Sequence, residues 1–329
     1  MLFIFLDGVG IGEKSDKNPF VVARAQFLPF YAGNNGLPDG TPVKAIDAVL
    51  GVEGQPQSAT GQTSLFTGEN VPAMLEEHKG SYPNKLMRKI IKEKNILSRL
   101  REKNLNAGYI NAYPFYTRLF TNQHVDIDED GVFHFSDEFP SLFKRRISVT
   151  SCMMIANRQV PFSETDIIRE KAIYQDYSNV SLSRMIEKTE HSGRMKIVLR
   201  ETGLSQLPKL PHFTPEKAAE ILFKASRGFD FLLYEYFQTD ISAHRSSFAE
   251  RVELIGQLNR FIGTLISFLD KERDTLLLTS DHGNLEDSTT LAHTRSPVPL
   301  VAWGNRGHEL RQGIESLIDV TPAVVKFFS

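Results

Sequence analysis

The apolar residues of this chain come in short unbroken runs, several of which stop on an acidic residue. Leu2–Leu6 (LFIFL) stops on Asp7 and a glycine-rich loop. Thr275–Thr279 (TLLLT) gives way to Ser280, Asp281, His282, Gly283 and Asn284. Residues 229–237 (FDFLLYEYF) lead to Asp240 and, four positions on, His244. A further run, residues 298–303, follows His293 and has Pro297 and Pro299 at its start. Runs of this length predict buried strands, and residues 107–112 supply one more. Helical patterning lies between them. Residues 81–106 form a charged amphipathic stretch whose basic side chains make a solvated face. In TPEKAAEILFKAS, Thr214 is the expected N-cap, Pro215 the first helical residue and Glu216 an acid in the first turn. SSFAERVELIGQLNRFIGTLISFLDKE supplies the next helix and DVTPAVVKFF a closing one. Alternating strand and helix predict an α/β core.

The acid-terminated strands are missing from the middle of the chain. The reading is therefore a core in two parts, residues 1–115 and 206–329, with residues 116–205 inserted as a small α/β cap. Within the cap GVFHFSDEF alternates like a strand, RRISVTSCMMIA reads as a buried segment and SNVSLSRMIEKTEH as a helix. No internal repeat or low-complexity tract interrupts the chain.

A single Asp or Asn after a strand is ordinary turn chemistry. Three strands leading to Asp, two of them with a nearby His, and a further His ahead of a fourth strand call for another explanation. In open α/β sheets ligands bind at the carboxyl ends of the strands. Carboxylate oxygen and imidazole nitrogen together suit Mn²⁺, Mg²⁺ or Zn²⁺, so Asp7, Asp240, Asp281, His244, His282 and His293 predict two adjacent divalent ions. The stretch QPQSATGQTSLFTGEN adds hydroxyls at Ser58, Thr60, Thr63, Ser64 and Thr67. By itself it reads as a solvated loop entering a helix. Beside two cations, one of its hydroxyls becomes a candidate nucleophile, because metal coordination and a helix N-terminus both stabilise an alkoxide.

Composition narrows the partners. The chain has 329 residues, 41% of them hydrophobic, enough for one large α/β unit or a core with an insertion. Lys and Arg total 38 against 40 Asp and Glu, a balance without the electrostatic footprint of a nucleic-acid or anionic-membrane binder. The lone cysteine, Cys152, excludes an intramolecular disulfide and reads as a small buried hydrophobe. No apolar stretch is long enough to span a membrane and the N-terminal run lacks a basic flank, so a cytoplasmic protein is expected. DGVGIG lacks the glycine spacing of a dinucleotide loop, and EKSDKNPF does not read as the start of a helix. His78, His124, His134, His191, His212 and His308 lack paired acidic neighbours at strand ends.

The ordered blocks LDGVG, SATGQ, TDISAH, TSDHGN and HTRSPVPL resemble the alkaline phosphatase superfamily, most closely the branch of cofactor-independent phosphoglycerate mutase and phosphopentomutase. The resemblance implies a core with a mostly parallel sheet flanked by helices. It also implies a phosphoryl-accepting Ser or Thr three positions before a Gly, which selects Ser58 ahead of Gly61. One ion would be held by Asp240, His244 and His293, the other by Asp7, Ser58, Asp281 and His282, with Mn²⁺ or Zn²⁺ ahead of Mg²⁺. Two departures stand out: Gln62 replaces the usual His after the Gly, and Ala243 replaces the Gly before the ligand His. The implied substrate is a small phosphate ester, and the implied activity is phosphoryl transfer through a phosphoserine. A phosphohydrolase is the first expectation, because the cap is short. A phosphomutase, a phosphodiesterase and a metal-binding protein without turnover are the alternatives. Arg118, Arg145, Arg146, Arg158 and Arg200 of the cap are candidate phosphate-orienting cations.

Overall fold

The computed structural model describes residues 1–113, 124–137, 139, 144–181, 183 and 209–329. Its strands, in chain order, are β1 (Leu2–Leu6), β2 (Lys44–Ile46), β3 (Ala107–Tyr109), β4 (Val125–Ile127), β5 (Phe133–Phe135), β6 (Phe231–Tyr236), β7 (Thr275–Thr279) and β8 (Val298–Gly304). The helices among the described residues are α1 (Pro19–Val22), α2 (Ser58–Thr67), α3 (Val71–Leu75), α4 (Lys85–Lys94), α5 (Ile96–Arg101), α6 (Val149–Ala156), α7 (Glu164–Ile168), α8 (Pro215–Ser226), α9 (Gln238–Arg245), α10 (Phe248–Phe268), α11 (Gly307–Gln312) and α12 (Leu317–Phe327).

β1 is apolar at every position because it lies inside a six-stranded sheet of order β2-β8-β7-β1-β6-β3, with helices over both faces. β3, β6, β1 and β7 run parallel, while β8 is antiparallel to β7 and β2 to β8. Phe5 pairs with Glu235 on one side and Thr279 on the other, so β1, β6 and β7 end along one edge. Leu2, Ile4, Leu6, Leu232, Tyr234 and Leu276 pack against apolar residues of α8 and α10. Phe3, Phe5, Phe231, Leu233 and Leu277 pack with residues of α2, α5, α6 and α12. The result is an α/β fold with a mostly parallel sheet between two helical layers.

Local chemistry sets the helix starts. Thr214 caps α8 by accepting from the Lys217 N–H, with Pro215 at the first position and Glu216 in the first turn, as the sequence predicts. Ser247 and Glu250 form a reciprocal capping box at α10.

Several boundaries differ from the sequence reading. The charged stretch of residues 81–106 holds two helices, because Asn95 closes α4 and caps α5. The ladder of β3 stops at Tyr109. Beyond it the Asn111 side chain engages the β6 backbone, accepting from the Glu235 N–H (2.9 Å) and donating to the Glu235 carbonyl (2.7 Å). A one-turn helix, α1, follows the glycine loop after all, capped by Asn18 and opened by Pro19. In the expected cap, β4 and β5 form an antiparallel hairpin, and the RRISVTSCMMIA segment ends in the buried helix α6. Ile147, Val149, Cys152 and Met153 join the same apolar layer as Phe3 and Phe5. Most of the expected helix at 178–191, together with Arg118, His191 and Arg200, lies outside the described residues.

Candidate metal centre

All seven site residues expected from the sequence come together at the carboxyl edge of the sheet. Asp7 follows β1 directly, and its N–H extends the ladder to the Tyr236 carbonyl (3.1 Å). Asp281 and His282 follow β7. Asp240 departs from the expectation of a strand-end acid: β6 stops at Tyr236, and Asp240 sits in the first turn of α9. His244 is one helical turn further on the same face, which is why the spacing is four. Ser58 is the first residue of α2. His293 lies in the loop leading to β8.

Two constellations share Asp240. Asp240, His244 and His293 offer ligand atoms all within 4.8 Å of one another, and so do Asp7, Asp240 and His282. His244 Nε2 lies 3.3 Å and His293 Nε2 3.6 Å from Asp240 Oδ1. His282 Nε2 is 3.5 Å from both Asp7 Oδ1 and Asp281 Oδ2, and 3.0 Å from Ser58 Oγ. Side-chain exposure falls from 34% at His244 and 13% at Asp240 to zero at Asp7 and His282, so the site opens on the Asp240 side.

The histidine tautomers follow from their partners. His244 donates from Nδ1 to the Leu291 carbonyl (2.8 Å), and His293 from Nδ1 to the Pro56 carbonyl (2.9 Å). The Nδ1–H of His282 has only the weaker Gly283 carbonyl (3.3 Å). Each ring therefore turns an Nε2 lone pair inward. Burial lowers the pKa of His282, and burial and then the neighbouring His282 lower that of His293, which favours the neutral, ligating form. The His244 and His293 Nε2 atoms are 3.2 Å apart, an arrangement that suits a cation and not a hydrogen bond.

The carboxylates point the same way. Burial, then Asp281 and Asp240, hold the Asp7 carboxyl well above the ordinary range. Burial likewise raises Asp281, opposed by donation from the Gly8 N–H (3.2 Å) and Gln62. Asp7 Oδ1 is buried without a hydrogen-bond partner. Among the described residues no lysine or arginine pairs with Asp7, Asp240 or Asp281. Three converging carboxylates, an orphaned oxygen and three inward lone pairs form a donor set that fits divalent ions.

Backbone shape permits this convergence. Gly8 has φ +68°, and a Cβ there would stand 2.8 Å from Asp240 Oδ1. A Cβ at Gly61 would stand 2.8 Å from the Asp281 carbonyl oxygen, so α2 approaches the β7 loop closely only with glycine there.

Of the five hydroxyls in this stretch, the four besides Ser58 have structural partners. Thr60 donates to the Gln57 carbonyl (3.2 Å), Thr63 to that of Ala59 (2.6 Å) and Thr67 to that of Thr63 (2.6 Å), while Ser64 accepts from the Val71 N–H (3.2 Å). Ser58 alone among them bonds to a site histidine. Three residues of the site escaped sequence reasoning. Gln62, visible only as a departure from a pattern, donates from Nε2 to Asp7 Oδ2 and Asp281 Oδ2, both at 3.1 Å. Its position four after Ser58, one turn along α2, was the available signal. Asn284 donates to Asp240 Oδ1 (2.9 Å) and lies 3.0 Å from His244 Nε2. Glu286 carried no spacing signal. Of the candidate cap arginines, Arg145, Arg146 and Arg158 are exposed. Cys152 is buried, and burial pushes its thiol up, as befits a core residue. His134 does find an acid, Asp128 (2.8 Å), on the exposed β4–β5 hairpin.

The family model of the metalloenzyme superfamily matches residues 1–329. The chain belongs to that superfamily. Membership implies divalent metal ions, and the donor set above is a candidate place for them. A 2,3-bisphosphoglycerate-independent phosphoglycerate mutase of Pseudomonas putida is 28% identical over 143 residues, 41% of this chain and 28% of the relative. One from Pseudomonas fluorescens is 32% identical over the same shares. The match thus spans little more than a quarter of these relatives' length. The alkaline phosphatase of the Antarctic bacterium TAB5 shares the fold, with TM-score 0.50 and 13% identity over 100% of this chain and 98% of that one. Among the described residues no helix is long and apolar enough to cross a membrane.

Proposed function

We propose that this protein transfers the phosphoryl group of a small phosphate ester to Ser58 and then to water, as a metal-dependent phosphohydrolase. The observation that carries this reading is Ser58: a half-buried hydroxyl at the N-terminus of α2, 3.0 Å from His282, beside three carboxylates with no lysine or arginine among the described residues to neutralise them. In this reading Asp240, His244 and His293 hold one divalent ion, and Asp7, Ser58, Asp281 and His282 the other. Bound there, the ions would make the Ser58 hydroxyl more acidic and offset the charge on the non-bridging phosphate oxygens. Mn²⁺ or Zn²⁺ suits this oxygen and nitrogen set ahead of Mg²⁺.

The chain's own residues set the path. Ser58 Oγ gives up its proton to solvent and forms a bond to phosphorus as the bond to the leaving alcohol breaks in line, and the alcohol departs with the electron pair and takes up a proton from solvent. The positive end of α2 favours the charge on Oγ and on the phosphoserine that follows. Water then attacks the phosphoserine and gives a proton to solvent as the phosphorus–Oγ bond breaks; Oγ keeps that electron pair and takes up a proton from solvent, and inorganic phosphate leaves. Gln62 keeps Asp7 and Asp281 together with neutral donors, adding no charge to compete with an ion. The histidines act as ligands and not as bases.

A phosphomutase is the second reading, favoured by the phosphoglycerate mutases similar to part of this chain. It differs only in the acceptor of the second half-reaction. The short segment between the two core halves favours water, because a mutase must exclude it.

The test offers phosphate mono- and diesters to wild type and Ser58→Ala with Mn²⁺, Mg²⁺ or Zn²⁺ in turn. Wild type is expected to release inorganic phosphate at every turnover. Ser58→Ala should release none above background while still folding and taking up metal. Label reappearing on another hydroxyl of the same substrate, with little free phosphate, would establish the mutase instead. Full activity in Ser58→Ala, with loss in Thr60→Ala or Thr63→Ala, would move the nucleophile.

A further inference from the structure

Glu286 is 1% exposed, and among the described residues no lysine or arginine pairs with it. Its carboxylate instead accepts three hydrogen bonds from three places in the site. The Gly10 N–H, in the loop after β1, donates to Oε2 (2.8 Å), and so does the Asn284 N–H, in the loop after β7 (2.8 Å). The Thr294 hydroxyl, next to His293, donates to Oε1. The surrounding backbone is cut to this side chain. A Cβ at Gly10 would stand 2.5 Å from Glu286 Cδ, one at Gly12 2.9 Å from Cγ, and one at Gly283 2.5 Å from Oε1.

A carboxylate suits this place for a definite reason. It is acceptor-only, with lone pairs for several donors, whereas a glutamine would turn an NH₂ toward an N–H or O–H that needs an acceptor. An aspartate, one methylene shorter, could not span all three loops. Those loops carry Asp7, the Asp281-His282 pair and His293.

We infer that Glu286 is a positioning residue for the metal centre, locking the loops that bear Asp7, Asp281, His282 and His293 in one register before any ion binds. Glu286 itself touches neither ion nor substrate. The inference rests on the ligand assignment proposed above. Residues that orient metal ligands in this way typically contribute about 10- to 100-fold to metal affinity.

The experiment is calorimetric titration of metal-stripped protein with Mn²⁺, with circular dichroism and thermal melts to verify folding. Wild type is expected to take up two ions per chain; uptake of none would overturn the ligand assignment and this inference with it. Glu286→Gln should bind both ions about 10- to 100-fold more weakly while remaining folded. Thr294→Val removes only the hydroxyl on the His293 side. It should weaken the ion held by Asp240, His244 and His293 and leave the other at wild-type affinity. That selectivity is something general softening of the fold would not produce. Two ions bound at wild-type affinity in folded Glu286→Gln would overturn the inference and leave the ligand assignment standing. Should Glu286→Gln not fold, Thr294→Val decides: unchanged binding of both ions, or equal weakening of both, overturns it.

Discussion

Glu235 faces the same side of the sheet as Phe3 and Phe5, with its carboxyl fully buried beside the candidate metal centre. Burial pushes its pKa from the ordinary 4.5 up to about 7, against donation from the Tyr109 and Thr150 hydroxyls, and Asp281 adds to the rise. The sign of the consequence is fixed. Between about pH 4.5 and 7 the folded protein keeps a proton that the unfolded chain has released, so stability falls as pH rises through that window and stays lower above it. A shift of this size amounts to about 3 kcal/mol. Glu235→Gln, which cannot ionise, should lose about 3 kcal/mol less than wild type between pH 4 and pH 8 in urea unfolding of the metal-free protein. Parallel pH profiles for the two proteins would show that Glu235 ionises freely.

At the scale of elements, the junction of α4 and α5 depends on one side chain. Asn95 is fully buried and uses both ends of its amide. Its Oδ1 accepts from the Ser98 N–H (3.0 Å) and Asn157 Nδ2 (2.7 Å), and its Nδ2 donates to the Ile91 carbonyl (2.7 Å) and Ser98 Oγ (2.7 Å). Asn95→Ala removes a helix cap and takes away one of two partners each from the Ile91 carbonyl and the half-buried Asn157 amide, which keep the Asn95 N–H and the Met153 carbonyl. The expected cost is about 2 to 3 kcal/mol, seen as a lower urea midpoint with unchanged slope. Turnover per folded molecule should not change, because α4 and α5 carry none of the site residues. A midpoint within experimental error of wild type would mean that the helices hold together without this amide.

For the whole molecule, the carboxylates of the site make metal-free protein sensitive to pH. Asp7 and Asp281 both have raised pKa values in the folded state, chiefly through burial, so ionising them as pH rises costs stability. Divalent ions compete with protons for the same oxygens, and binding therefore strengthens with pH. Each ion at 100 times its dissociation constant adds about 2.7 kcal/mol. Chelation should lower the melting temperature, and the gap between loaded and stripped protein should be wider at pH 8 than at pH 6. A gap that narrows with rising pH would contradict the placement of ions among these carboxylates.

Much of this protein is written in local pattern. Apolar runs at Leu2–Leu6 and Thr275–Thr279 are strands because every position is buried, and Thr214 with Pro215 opens a helix by chemistry within one turn. The four-residue spacing of Asp240 and His244 already holds a shared helical face, although the helix itself was not foreseen. Local pattern also suffices to nominate Ser58 among its neighbouring hydroxyls once the family blocks are seen in order. Contacts across long stretches of chain have no such periodicity. Gln62 reaches Asp281 over 219 positions, and the Gly10 N–H reaches Glu286 over 276. Only the parallel pairing of β1, β6 and β7 brings their carboxyl ends to one edge, makes Asp240 common to both constellations and turns Gln62, Asn284 and Glu286 into its supports. A side chain's hydrogen-bond partner is set by where the backbone folds, and that is decided by the packed sheet and not by the residues on either side.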